Sequence, residues 1–151
     1  MKYTLELEVA VSQDDFVKKM DNADNMKHWQ KGLVSYEHIS GTPGMVGAKM
    51  KLNYQFGKRN MELTETIVDT NFPDSFHATY DTKGMRNIQK NFFHKTPQGH
   101  TKWVSECEFI PTNFLMRLMT TFMKSSFKKQ SLSYMQDFKN FAENGISVAD
   151  K

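Results

Sequence analysis

Residues 2–9, KYTLELEV, alternate strictly: Tyr3, Leu5, Leu7 and Val9 are apolar, and Lys2, Thr4, Glu6 and Glu8 between them are polar. A period of two predicts a strand with one dry and one wet face, here over residues 2–11. Ser12 then stands where a helix N-cap belongs, with Asp14 and Asp15 in the first turn and Phe16, Val17 and Met20 on the apolar side. NADNMKHWQKG predicts a second short helix that stops at Gly32. Alternation resumes in segments 33–39, 48–56, 61–70, 75–82, 86–95 and 100–110. Their connectors, GTPGMVG, GKRN, NFPD, KGM and TPQG, are rich in turn formers. Connectors this short join antiparallel neighbours, so these strands form a meander.

After Pro111 the period changes. Thr112 or Asn113 caps a helix that runs to the stop signal Asn144-Gly145. It spans about thirty residues, or ~45 Å if unbroken, enough to cross the sheet. One stripe, with Met116, Met119, Met123, Phe127, Tyr134, Met135, Phe138 and Phe141, has helical spacing and suits the dry face of the sheet. Phe114, Leu115, Leu118 and Phe122 fall off that stripe, near Arg117, Lys124 and Lys128. Three readings compete for this second stripe: a lid hinged at Lys124-Ser125-Ser126, a homodimer contact, or transient docking on an anionic membrane.

Hairpin pairing sorts the sheet residues. Phe56 is set against Met61, Ile67 against Ala78, and Tyr80 against Ile88 across a three-residue KGM turn. The dry face then collects Met50, Leu52, Tyr54, Met61, Leu63, Ile67, Phe76, Ala78, Tyr80, Ile88, Phe92, Trp103, Cys107 and Phe109. The wet face collects Lys49, Lys51, Asn53, Gln55, Glu62, Thr64, Asn87, Gln89, Asn91, Glu106 and Glu108. Glu65 and Lys90 are the exceptions: both interrupt the dry face, with Tyr80 between them. Buried charges are costly unless paired or hydrated. They therefore point to a hydrated cavity in which Glu65, Tyr80 and Lys90 hold a ligand's carboxylate or carbonyl, or act as acid and base in an aldol-type cyclisation. The plainer alternative is a different register, or both side chains reaching the rim.

Composition narrows the field. The 151 residues predict one domain, 1–151, that is 38% hydrophobic and 25% charged. No apolar run approaches the ~18 residues of a membrane span. The N-terminus reads as a strand rather than a secretion signal. Net charge is only +3, with basic residues scattered apart from Lys124, Lys128 and Lys129, which argues against nucleic acid. Cys107 is the single cysteine, so no intramolecular disulfide forms; it reads as an inert core thiol in a reducing cytoplasm. His28, His38, His77, His94 and His100 lack ligand spacing, so neither a metal nor another cofactor is expected.

HWQKGLVSYEHISGTPGMVGAKMKLNY, MELTETIVDTNFPDSFHATYD and the closing TKWVSECEF with the terminal helix, in this order of elements, resemble the START-like superfamily over nearly the full length. The likeness is to its polyketide cyclase/dehydrase and lipid transport (SRPBCC) group. The resemblance implies an α+β helix-grip fold, a seven-stranded antiparallel sheet wrapped around the long C-terminal helix with two short helices after strand one. It also implies a hydrophobic or amphiphilic ligand, lipid-like or polyketide-like, between sheet and helix. The alternatives are a cyclase or dehydratase using Glu65, Lys90 and Tyr80, and a protein-interaction module. The expected sheet contacts to a ligand are Leu52, Tyr54, Leu63, Glu65, Ile67, Phe76, Tyr80, Lys90, Phe92 and Trp103. From the helix, Met119, Met123, Phe127 and Tyr134 join them.

Overall fold

The computed structural model describes residues 1–150. The chain opens with β1 (Lys2–Val9), α1 (Gln13–Met20), a 3-10 turn over Ala23–Asn25 and α2 (Met26–Trp29). Then come β2 (Leu33–Ser40), β3 (Lys49–Phe56), β4 (Arg59–Asn71), β5 (Ser75–Thr82), β6 (Met85–Lys95) and β7 (Thr101–Pro111). Helices α3 (Phe114–Phe122) and α4 (Lys124–Asn144) and a 3-10 turn over Val148–Asp150 complete it. The seven strands form one antiparallel sheet in the order β1-β7-β6-β5-β4-β3-β2, so the meander is closed at one side by β1 beside β7.

Local signals place the helices. Ser12 caps α1 by accepting from the Asp15 N–H at 3.1 Å. Asn113 caps α3 by accepting from the Met116 N–H at 2.9 Å. Gly145 ends α4 at φ +68°, a conformation in which a side chain would be strained. The terminal helix is broken, and the break lies at Met123, just before the expected Lys124-Ser125-Ser126 hinge.

Three expected registers differ from the observed ones, among them Phe92 beside Trp103 or Ser105, which is found opposite Val104. β3 and β4 pair Tyr54 with Met61 and Leu52 with Leu63, because Gly57-Lys58 alone makes the turn. That is a two-residue shift, so the faces survive. Between β5 and β6 the turn is Lys83-Gly84 alone, with Thr82 opposite Met85. The slip is one residue, and it turns β6 over. Ile88, Lys90 and Phe92 lie on the outer face, whereas Asn87, Gln89, Asn91 and Phe93 face the helices. The pairing of Glu65 with Tyr80 and Ile67 with Ala78 is as expected.

The inner face has two unequal ends. At one, Phe16 and Phe138 are 0% exposed and Phe93 is 1% exposed. Phe16 sits 4.9 Å from Phe93 and 4.8 Å from Phe138, ring centre to ring centre, with Trp103 edge-on at 5.6 Å. Leu5, Val9 and Met135 complete this cluster. A smaller core of Met26, Leu52 and Tyr54 lies under β3, flanked by half-buried Met50, Met61, Leu63 and Tyr80.

Candidate functional site

Strand alternation builds the site between these two cores. Met50, Glu65, Tyr80, Asn87 and Phe109 are successive cross-strand partners from β3 to β7, and they form one row on the inner face. The adjoining row carries Ile67, Ala78, Gln89, Cys107 and Tyr3. Ala78 is small, which makes the middle of this row shallow. Met116 and Met119 of α3 and Phe127 and Tyr134 of α4 are all half-buried, α3 lying against β7 and α4 against β1. Phe127 packs on Phe109 at 5.0 Å, and Tyr3 Oη donates to Phe127 O at 3.1 Å, holding α4 to β1 and β7.

Glu65 and Tyr80 are surrounded by protein, yet each keeps part of its surface in contact with solvent, as do Met50, Leu63, Gln89 and Phe109 in the same region. Burial pushes the Glu65 carboxyl up from the ordinary glutamate range, and the neighbouring Tyr80 hydroxyl offsets only part of that rise. Burial, and then Glu65 itself, push the Tyr80 phenol well above its usual range. Tyr54 and Tyr134 are raised for the same first reason, burial. Tyr54 Oη donates to Gln30 Oε1, and Tyr134 Oη donates to Lys31 O at 3.3 Å, so both phenols lean on the segment after α2. Among the described residues, no lysine or arginine forms an ion pair with Glu65.

The expected ligand contacts divide accordingly. Glu65 and Tyr80 are cross-strand partners, Leu63 and Tyr80 pack on the Met26, Leu52 and Tyr54 core, Phe127 packs on Phe109, and Met119 and Tyr134 are half-buried helix positions. Tyr54, Leu52 and Ile67 stand behind them, each at most 7% exposed. Phe76 is half-buried beside Phe72, with ring centres 5.5 Å apart. Trp103 belongs to the packed end, where its Nε1 donates to Asn91 Oδ1 at 3.0 Å. Met123, 42% exposed, is the junction between α3 and α4. Lys90 and Phe92 do not join the site, because the shortened turn sends them to the outer face; the expected Glu65–Lys90 acid and base pair is therefore not formed. In their place stand Asn87, whose Nδ2 donates to Glu108 O at 3.1 Å, and Gln89, whose Nε2 donates to Asn87 Oδ1 at 2.8 Å. A lysine-glycine pair is enough for a tight hairpin, and taking that minimal turn would have turned these amides inward.

Two surface recesses lie elsewhere and border none of these groups. One, of about 290 Å³, runs between Asp24, Lys27 and Tyr36; the other lies beside Pro97 and Lys102.

No family model matches the chain, and no curated protein does. Solved structures do. TTHA0849 from Thermus thermophilus aligns with a TM-score of 0.75 at 9% identity, covering 94% of this chain and 97% of that one. The major latex-like protein 151 of Panax ginseng aligns at 0.72 and 14%, covering 94% and 97%. A norcoclaurine synthase point mutant from Thalictrum, in complex with a transition-state analogue, aligns at 0.69 and 13%, covering 94% and 93%. The chain has the helix-grip fold of these structures. At such identities the likeness is one of architecture. The grip is here built with α3 and α4 as two separate rods.

Proposed function

We propose that this START-like domain binds an uncharged, largely apolar small molecule between the inner sheet face and the α3–α4 pair, with Glu65 and Tyr80 as its polar anchors. The observation that carries this reading is the Glu65–Tyr80 pair itself. It is an ionisable couple set deep among apolar and amide side chains, with no countercharge among the described residues and with residual access to solvent. A carboxyl held toward its neutral form donates a hydrogen bond to a ligand carbonyl or hydroxyl. A ligand carboxylate would meet no cation there and would lose its hydration without return. With Lys90 outside, the reading narrows from carboxylate or carbonyl to carbonyl or hydroxyl. Burying about 300 Å² of apolar ligand surface against Leu63, Met119 and Phe127 would contribute roughly 7 kcal/mol before the entropy of association is subtracted. The buried Cys107 thiol, raised by burial, suits a reducing cytoplasm.

A second reading follows from the same pair. A carboxyl with an elevated pKa beside a phenol is a suitable general acid, so a cyclase or dehydratase remains compatible with Glu65 and Tyr80 without Lys90.

The test is native mass spectrometry of protein purified from its own host, followed by titration with long-chain alcohols, monoacylglycerols and fatty acids of equal length at near-neutral pH. Neutral amphiphiles are expected to bind on the order of tenfold tighter than the acids. Tyr80→Phe should weaken the neutral ligands, and Glu65→Gln should narrow the gap to the acids. Equal binding of acids and alcohols by the unmodified protein overturns the reading.

A further inference from the structure

α3 carries apolar side chains on both faces. Met116 and Met119 turn inward, half-buried, while Phe114 (73% exposed), Leu115, Leu118 and Phe122 (79% exposed) form a continuous outward stripe. The surroundings of this stripe are cationic. From Asn113 to Gln136 the chain holds Arg117, Lys124, Lys128 and Lys129 and no acidic residue. Thr112 N donates to Gly84 O at 2.8 Å, which fixes the start of α3 against the Lys83-Gly84 turn. The Gly57-Lys58 turn lies at the same end of the antiparallel sheet, adding Lys58 and Arg59. The nearby acids are occupied: Glu62 faces Lys51 and Asp81 faces Arg86.

We propose that this tip of the molecule docks on an anionic phospholipid bilayer, with Phe114, Leu115, Leu118 and Phe122 entering the interface and the surrounding lysines and arginines meeting the headgroups. An apolar stripe flanked by cations is the composition of an interfacial helix. The charge decides against a second copy as the occupant. Two α3 stripes packed together would bring Arg117, Lys124 and Lys128 of each copy beside those of the other, with no acid in the segment to pair with them. A bilayer supplies the missing negative charge and accepts exposed phenylalanines. Docking would also pull on α3, which lies against β7 and the Lys83-Gly84 turn beside the proposed ligand site.

The full-length protein should float with phosphatidylcholine vesicles containing about 30% phosphatidylglycerol and remain unbound with pure phosphatidylcholine. Phe114→Ser with Phe122→Ser, at exposed positions whose change leaves the circular dichroism spectrum intact, should lower partitioning roughly tenfold or more. Lys124→Glu with Lys128→Glu should do the same, and added salt should release the unmodified protein. Unchanged flotation of the phenylalanine variant overturns the proposal, as does absence of binding to the anionic vesicles. So does light scattering that shows a dimer made monomeric by Phe122→Ser. Flotation is read without any ligand, so its failure leaves the small-molecule reading standing, and the converse holds as well.

Discussion

A carboxyl surrounded by side chains that cannot neutralise it leaves a mark on stability. In the native state Glu65 holds its proton to a higher pH than in the unfolded chain, because burial penalises the charge more than Tyr80 relieves it. The folded form therefore binds more protons above the ordinary glutamate pKa of about 4.3, and stability falls as pH rises through that window. Glu65→Gln removes this one group from the balance. The difference in unfolding free energy between variant and parent should increase toward alkaline pH and vanish in acid, as read by urea titration across the range. A difference that grows toward acid would contradict the assignment. Asn91 carries a second residue-scale consequence. It is 5% exposed and gives Trp103 Nε1 its acceptor, which is why a polar side chain occupies an inner position of β6.

At the level of elements, the alternation pattern located all seven strands and the N-caps of α1 and α3 to within a few residues, since those signals are local. It did not locate β6 in depth. Whether Lys90 or Gln89 points inward depends on one residue in the Lys83-Gly84 turn, and both registers offer β6 a mixture of apolar and polar side chains on each face. Ile88 and Phe92 made the wrong face look the drier one. The row of Glu65 and Tyr80 was legible because the Ile67–Ala78 pairing leaves few alternatives; the amide neighbours were not. Gly84 now has a defined role. Its φ is +83°, and a Cβ there would stand 2.4 Å from Asn113 Nδ2 and 2.9 Å from Met116 Cγ. Gly84→Ala should cost ~1–2 kcal/mol and disturb the cap of α3. Hydrogen exchange should then quicken in α3 while α4 keeps its protection; uniform loss across both helices would show that the turn does not govern α3.

Across the whole molecule, firmness is distributed unevenly. One end is closed by Phe16, Phe93, Phe138 and Trp103, and the other holds Met26, Met50 and Met61 beside half-buried polar groups. Phe16→Ala should lower stability by ~3–5 kcal/mol, as for a fully enclosed aromatic. Met119→Ala should cost less than about 1.5 kcal/mol, because its surroundings are already partly wet. Similar losses at both positions, measured by denaturant unfolding, would mean that the two ends are equally packed.

The position of β1 at the side of β7 has a consequence during synthesis. Lys2 finds its partner in Glu108 and Val9 in Thr101. At a translation rate of ~5–20 residues per second, the first strand waits roughly 5–20 s for the neighbour that shields its oily side. Throughout that interval β1 lacks its paired edge, and Tyr3, Leu5 and Val9 lack α4, made later still, so the nascent chain offers a binding site to chaperones that the finished protein has erased.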